Sequence, residues 1–412
     1  MYIGAEEILE MRKEYMFPCL GYFYQNPPQF VEGKMQYLWD VNGKKYLDFF
    51  AGVSVISCGH SNPFILEKTV EQLQKLQHVC NIYLTQPVVE LAKKMSELFN
   101  MHNLQGIKKS FFVNSGTEAV EGALLLARLA TNKPKFIALK GSLHGRTYLT
   151  AAVTDISMWR TDPFLPTETV IFLDTANYKK AILQLTKILE SDHNIAGFIA
   201  EPIQGNAGII TPPDWFFQEV AHLLKKHDVL MIVDEVQTGF ARTGKMFCIQ
   251  HYNVVPDIIA YGKALGNGIP CAGFSATAEL ADKFTKPSAS TLGGNPVSCA
   301  TALAVLDYIE QNNLVENSQI LGDYLLKGLT NFKFDFIRDI RGKGLMLGME
   351  LSTSEQVDFT IENLKDNGII LGRNGINRNI LAFQPPLVIT HDDINFLLTT
   401  LEDTFAKLQK RQ

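Results

Sequence analysis

The chain has 412 residues, of which 46% are hydrophobic and 20% charged, and its formal net charge is −5 at pH 7. This length exceeds what one hydrophobic core usually covers, so we expect at least two domains. The slightly acidic balance gives no electrostatic reason to expect nucleic acid as a partner. No apolar run approaches the roughly 20 residues that cross a bilayer, so no membrane partner is expected either.

Six cysteines are scattered along the chain without a CxxC pair. This spacing is typical of free thiols in a reducing compartment and not of a disulfide framework or a zinc site. The first fifteen residues are acidic and amphipathic and lack the apolar core of a secretory signal. We therefore expect a cytoplasmic protein without a metal site.

The middle of the chain alternates apolar runs with amphipathic stretches. Runs rich in Ile, Val and Phe predict parallel strands buried on both faces at 110–114, 135–139, 197–201, 229–235 and 257–263. Helices are predicted between them, for example at 117–130 and 215–227. This alternation indicates an α/β fold with a mostly parallel sheet.

The two ends of the chain follow another pattern. Residues 36–48 alternate apolar and polar positions around Asn42-Gly43, which predicts an antiparallel hairpin. Beyond about residue 312, helices mix with short strands at 344–351 and 380–387. We predict a large domain at 56–311 and a smaller α+β domain built from 1–55 and 312–412.

Two predicted strands end in charged side chains. Asp234 closes an apolar strand, where a carboxylate is costly without a cationic partner. That partner is either a protonated pyridine ring or a Lys or Arg side chain. Lys263 follows another strand, where burial lowers the pKa of an amine and favours a neutral nucleophile. The alternative for Lys263 is an ordinary lysine that extends to solvent.

A third feature is the segment 114–118, which joins a strand to a helix. Gly116 permits a tight turn, and the first N–H groups of the helix form a cradle for an anion such as phosphate. An ordinary helix cap explains the same residues. Glu201 ends a further strand and either supports the site or only ends the strand. A phosphate cradle, Asp234 and Lys263 together are the groups that pyridoxal 5'-phosphate (PLP) requires.

The ordered motifs resemble the class III (ω-type) PLP-dependent aminotransferases over nearly the whole chain. The matching segments are NSGTEAVEGALLLARLA from 114, HGRT from 144, EPIQG from 201, DEVQTGFARTG from 234, PDIIAYGKALGNGIP from 256 and TLGGNP from 291. Within the family, the pattern is similar to the alanine–glyoxylate and 4-aminobutyrate aminotransferase branch. The resemblance implies PLP fold type I (aspartate-aminotransferase-like). It also implies ping-pong transfer of an amino group from an amino acid or ω-amine to a keto acid.

The resemblance assigns roles to individual residues. Lys263 would form the Schiff base with PLP, Asp234 would pair with the pyridine nitrogen, and Gln237 would hydrogen-bond the phenolic oxygen. The other cofactor and substrate contacts that it implies are Ser115, Gly116 and Thr117 at the phosphate, Leu143, His144, Glu201 and Val236 around the cofactor, Thr291 at the neighbouring subunit's phosphate, and Val53 and Arg146 at the substrate. A homodimer with shared active sites is therefore implied, with a tetramer as an alternative.

Three positions depart from the family's pattern. Leu143 stands where many relatives have an aromatic residue that stacks on the cofactor. Asn206 and Ala382 replace a Glu and an Arg, and losing both is coherent because a lone buried charge is expensive. The usual clamp for an α-carboxylate is thereby removed. The arginines that could replace it are Arg160, Arg373 and Arg378.

Two rival functions remain open from the sequence. The same scaffold serves PLP-dependent lyases and aminomutases, and the missing carboxylate clamp favours the lyase. A catalytically silent homologue that acts as a binding protein is the other rival. The presence of Lys263, Asp234 and Gln237 argues against silence. Arg146 favours a substrate amine with a distant carboxylate, such as a β- or γ-amino acid.

Overall fold

The computed structural model describes residues 2–411. Its strands are β1 (Phe30–Lys34), β2 (Tyr37–Asp40), β3 (Lys45–Asp48), β4 (Ile107–Val113), β5 (Lys135–Leu139), β6 (Val170–Leu173), β7 (Ile195–Ala200), β8 (Leu230–Asp234), β9 (Ile258–Tyr261), β10 (Ala272–Thr277), β11 (Ile337–Lys343), β12 (Met346–Leu351), β13 (Ile369–Ile370), β14 (Gly372–Asn374) and β15 (Ile380–Phe383). Its helices are α1 (Ala5–Tyr15), α2 (Ala51–Ser54), α3 (Pro63–Lys75), α4 (Gln86–Met101), α5 (Gly116–Thr131), α6 (Tyr148–Ala152), α7 (Tyr178–Ser191), α8 (Phe216–Lys226), α9 (Ala278–Ala281), α10 (Pro296–Gln311), α11 (Leu314–Thr330), α12 (Ser354–Asp366) and α13 (His391–Gln409).

The central feature is a seven-stranded sheet in the order β4-β10-β9-β8-β7-β5-β6. The five strands from β9 to β6 are mutually parallel, and β10 runs antiparallel to both of its neighbours. The predicted α/β fold with a mostly parallel sheet is confirmed. Each strand predicted for this sheet lies within three residues of an observed one, but β6 and β10 were not predicted.

Both faces of this sheet are buried, which explains the continuous apolar runs. In β8, Met231 and Val233 join one hydrophobic cluster, whereas Ile232 joins the other. The second cluster contains the alanine-rich face of α5, where small side chains allow the helix to lie close to the strands. Helices α4, α7, α8 and α10 contribute to the first cluster. The sheet is therefore the middle of three layers, as parallel strands require.

There are two smaller sheets, and one of them combines both ends of the chain. The order β1-β2-β3-β13 places β13, from the C-terminal part, parallel to β3. The hairpin predicted at 36–48 is present, and Gly43, with φ +79°, donates its N–H to Asp40 O at 2.9 Å. The other sheet is antiparallel, in the order β11-β12-β15-β14.

The short element α2 is a left-handed turn. All four of its residues have positive φ, from 51° at Ala51 to 67° at Val53. For a β-branched residue such as Val53 this conformation is rare and strained. The carboxylate of Asp48 holds the entry to the turn, because its Oδ1 accepts the N–H groups of Phe50 and Ala51, each at 2.8 Å. Val53 is half-buried there.

Among the helices of residues 2–411, none combines the length and apolar character that crossing a membrane requires.

Candidate active site

The carboxyl ends of β8 and β9 bring the two predicted charged residues to one edge of the sheet. Asp234 ends β8, and its register partner across the parallel pair is Ala260 of β9. Lys263 follows β9 after Gly262 and opens a short 3₁₀ turn. The backbone of Lys263 is left-handed, with φ +41°. This edge is where open α/β sheets bind their ligands.

The amine of Lys263 has no hydrogen-bond or ion-pair partner within residues 2–411, and its side chain is half-buried. Burial lowers the pKa of Lys263, while the carboxylates of Asp234 and Glu201 oppose that effect. A lysine that simply extended to solvent would not show this depression. Lys263 is therefore available as a nucleophile and proton carrier.

Asp234 is only 4% exposed, and both of its oxygens have partners. Its Oδ1 accepts the N–H of Val236 at 3.0 Å, and its Oδ2 lies 2.7 Å from Nδ1 of His144. No Lys or Arg pairs with Asp234 in the described part of the chain, so the salt-bridge alternative does not account for its burial. The imidazole fixes the orientation of the carboxylate, and Nε2 of His144 is itself buried without a partner.

The start of α5 combines a helix cap with free N–H groups. Ser115 caps the helix by accepting the N–H of Glu118 at 3.2 Å, and Glu118 accepts the N–H of Ser115 at 3.0 Å. The ordinary cap expected as an alternative is therefore present. It leaves the N–H groups of Gly116 and Thr117, at the first two helical positions, without intrahelical partners. They can hold an anion in addition to the cap.

Close packing places this cradle against the segment that carries Lys263. A Cβ added to Gly262 would lie 3.6 Å from the Gly116 nitrogen, and one added to Gly116 would lie 2.6 Å from Cγ1 of Val236. Gly145 approaches the side chain of Thr117 just as closely, since its added Cβ would lie 2.8 Å from the hydroxyl oxygen. Gly116 thus leaves no space for a larger side chain beside Val236, whereas Gly262 and Gly116 lie in ordinary van der Waals contact.

Glu201 ties two loops together at the same edge. Its Oε1 accepts the N–H of Leu143 at 3.0 Å, and its Oε2 accepts that of Gly205 at 3.1 Å. Burial, with a smaller contribution from Asp234, raises the pKa of Glu201 to about 7, while His144 and both backbone bonds act in the opposite direction. Glu201 thus fixes the backbone at Leu143, the residue before His144.

Gln384, which the sequence did not single out, contacts Gln237 of the site. Gln237 is 7% exposed, and its Nε2 donates to Oε1 of Gln384 at 3.3 Å. Gln384 follows β15 and is fully buried. One signal could have revealed it, because Gln384 is the one polar residue in the apolar run from 380 to 387.

The predicted substrate-side residues are held more loosely. Arg146 and Arg378 are exposed and have no hydrogen-bonded or ionic side-chain partner within residues 2–411. The other two candidate arginines are engaged elsewhere, because Arg160 stacks on Phe172 of the edge strand β6 and Arg373 pairs with Asp358. Ala382 is fully buried, whereas Asn206 and Val53 are half-buried and Thr291 is exposed.

The aminotransferase class-III family pattern matches residues 24–405. The chain belongs to this family. It is 37% identical over 431 aligned residues to alanine–glyoxylate aminotransferase 2 homolog 2, mitochondrial, of Arabidopsis thaliana, covering 98% of this chain and 88% of that protein. It is 38% identical to acetylornithine aminotransferase of Archaeoglobus fulgidus over 364 residues, covering 88% and 92%. The Toxoplasma gondii ornithine aminotransferase structure, described as showing partial PLP occupancy at its active site, has a TM-score of 0.89 and 29% identity, covering 99% and 96%.

This class III aminotransferase is a PLP-dependent transaminase. The residues present fit that cofactor. An unpaired amine at Lys263, a buried and oriented carboxylate at Asp234, and free N–H groups at Gly116 and Thr117 supply an attachment point, a partner for a ring N–H and an anion cradle. The expected fold type and cofactor are thereby confirmed.

Proposed function

We propose that this transaminase uses Lys263 both to hold PLP covalently and to move the proton during amino transfer. The observation that carries the proposal is the half-buried amine of Lys263, whose pKa is depressed by burial and which no other side chain engages. A neutral amine near physiological pH can attack an aldehyde and accept a proton from carbon.

The surrounding residues divide the remaining work. When bound, PLP supplies an electron-accepting ring that stabilises negative charge at the substrate carbon bearing the amino group. Asp234 holds a proton on the ring nitrogen and is itself oriented by His144. Val236 and Leu143 would pack against the ring, and Gln237 would donate to the phenolic oxygen. Lys263 Nζ takes the proton from the substrate carbon.

For the phosphate we propose the cradle at the start of α5. The N–H groups of Gly116 and Thr117 provide donors, and the hydroxyl groups of Ser115 and Thr117 lie beside them. The helix dipole adds a favourable field for the negative charge. Thr291 of a second subunit completes the shell in this proposal. Thr291 is exposed, as a contact with the phosphate of a second subunit requires.

For the substrates we propose an amino donor whose carboxylate lies away from the reacting carbon, such as a β- or γ-amino acid, and a small keto acid acceptor. Ala382 and Asn206 leave no charge where an α-carboxylate clamp is expected. Arg146, which is exposed and unpaired in the described chain, is the proposed contact for the distant carboxylate. The relatives described above, which are an alanine–glyoxylate, an acetylornithine and an ornithine aminotransferase, support substrates of this general size.

We also propose a homodimer with shared active sites. Large apolar side chains are exposed near the N-terminus and between α3 and α4, including Phe17 at 80% and Leu84 at 103%. Exposed apolar surface of this kind is covered in many oligomers by a second copy. A tetramer is the alternative assembly.

The proposed domain division keeps the large domain at 56–311 and the small one at 1–55 and 312–412. The seven-stranded sheet lies inside the first range, and the pairing of β3 with β13 joins the two parts of the second, which supports this division. A cytoplasmic location is proposed as well, on the ground that the six cysteines are unpaired in the described chain.

Replacing Lys263 with alanine tests the proposed role directly. K263A should lose transamination by several orders of magnitude, on the order of 10⁴-fold or more, because it removes both covalent attachment and proton transfer. The control is K365A, which removes a buried lysine of α12 that is paired with Glu362 at 2.5 Å and lies outside the seven-stranded sheet. K365A should lower stability and retain the visible absorbance of bound PLP. Wild-type turnover in K263A without added amine would refute the proposal.

A further inference from the structure

The carboxamide of Gln384 is an unusual group for the place it occupies. Gln384 is fully buried after β15, and its backbone N–H donates to Phe49 O at 2.8 Å. Its side-chain Oε1 accepts from Gln237, but its Nε2 has no partner within residues 2–411. A buried donor without a partner is destabilising relative to a satisfied one. Such a group persists where another requirement outweighs that cost.

The requirement is an acceptor for the amide of Gln237. One face of its carboxamide is confined by Gly205, because a Cβ added to that glycine would lie 2.1 Å from Oε1 of Gln237. The other contact is the acceptor on Gln384. An amide has two N–H hydrogens, so a bond from one of them to Gln384 fixes the direction of the second. Without that acceptor, the amide of Gln237 could turn over and present its oxygen instead.

We infer that Gln384 is a positioning residue, which orients the amide of Gln237 so that an N–H faces the phenolic oxygen of PLP. The inference rests on the role proposed for Gln237. Gln384 does not touch the cofactor in this account and acts only through its neighbour. Gln384 follows β15 of the small antiparallel sheet, whereas the cofactor would be held at the strand ends of the large sheet. Through Gln237, Gln384 would therefore influence the electronic state of the cofactor from outside the large sheet.

A spectroscopic titration of holoenzyme tests this inference, with readouts independent of turnover. An N–H donor stabilises negative charge on the phenolic oxygen, so losing its alignment should raise the pH midpoint of the visible absorbance of bound PLP. Q384M removes the acceptor at nearly constant volume. We expect an upward shift of roughly half to one pH unit, and PLP affinity lowered by roughly three- to tenfold.

Two further variants make the result specific. Q384N withdraws the amide by one methylene and should behave like Q384M, which provides a second test if Q384M folds poorly. Q250M removes another amide, one that bonds His102 O at 2.9 Å outside the site, and should lower stability without moving the midpoint.

The outcome for Gln237 separates this inference from the proposed function. Q237M should shift the midpoint at least as far as Q384M, and the double variant should shift no further than Q237M alone, because Gln384 acts through Gln237. If Q237M leaves the midpoint unchanged, the role proposed for Gln237 is wrong and the inference fails with it. If Q237M shifts the midpoint but Q384M and Q384N do not, only the inference is overturned. Additive shifts in the double variant would also overturn it.

Discussion

The two halves of the site are held in different ways. On the cofactor side, Asp234 is bonded through both oxygens and the glycines at 116 and 262 pack backbone against backbone. On the proposed substrate side, Arg146 and Arg378 are exposed and have no side-chain partner in the described chain. The difference indicates that the chemistry shared by the family is built into the sheet edge. In the proposed site, the choice of substrate is left to side chains that can be exchanged without disturbing the core.

After the loss expected for K263A, the largest effect is expected from a second change on the cofactor side. D234N keeps the size of the side chain but removes the charge that we propose holds a proton on the ring nitrogen. We expect kcat to fall by roughly 10²–10³-fold, as for other preorganised electrostatic contacts. Steady-state kinetics with saturating PLP measures this effect.

Asp257 offers a matched control for that change. It is another carboxylate of the same sheet, accepting Met231 N at 2.7 Å, but it precedes β9 at the opposite edge. D257N should therefore lower stability and leave kcat near that of the wild type. Equal losses of kcat in D234N and D257N would mean that the contrast between the two sheet edges is wrong.

Glu235 offers a comparison with its neighbour Asp234, because its carboxylate accepts hydrogen bonds from Thr238 and from the N–H of Ile249. Burial raises the pKa of Glu235 to about 7. The folded state then binds more protons than the unfolded state between about pH 4.5 and 7, so wild-type stability falls as pH rises through this window. E235Q should remove that dependence. Its free energy of unfolding should therefore rise relative to that of the wild type, by up to about 3 kcal/mol between about pH 4.5 and 7.

The measurement for E235Q is the difference in free energy of unfolding between the two proteins as a function of pH. The difference isolates Glu235, since the other buried carboxyl groups, Glu201 among them, are common to both proteins. A difference that stays flat from pH 4.5 to 7 would show that Glu235 titrates normally in the folded state.

The smallest effect is expected on the substrate side. R146A should raise KM for carboxylate-bearing substrates by roughly tenfold, with a lesser change in kcat, because a charge-assisted contact is lost. R160A is the control, since Arg160 stacks on Phe172 at the far edge of the sheet. A KM change in R378A but not in R146A would show that the carboxylate contacts Arg378, in the loop after β14, and not Arg146.

The parts of the molecule that could be predicted depend on local pattern. Asp234 and Lys263 could be placed from sequence because each ends an apolar run, and parallel strands bring such ends to one edge. The hairpin at 36–48 could be predicted because its turn residues and alternation are local. In contrast, β10 has the sequence AGFSAT, whose small residues carry little strand preference, so tertiary pairing decides its conformation.

Contacts between distant residues could not be predicted in the same way. His144 bonds Asp234 across 90 positions of the chain, and Gln237 bonds Gln384 across 147. No local sequence pattern at one residue of such a pair indicates its partner. The left-handed backbone at Val53 is likewise imposed by surrounding hydrogen bonds against the preference of a β-branched residue. Substrate preference depends on contacts of this kind.

The most direct test of the central claim is to locate the cofactor on the chain. Holoenzyme reduced with borohydride, digested and analysed by mass spectrometry should carry the phosphopyridoxyl group on the peptide that contains Lys263. K263A treated in parallel should carry none at this peptide. Labelling of a different lysine in the wild-type enzyme, or no covalent label despite bound PLP, would contradict the account.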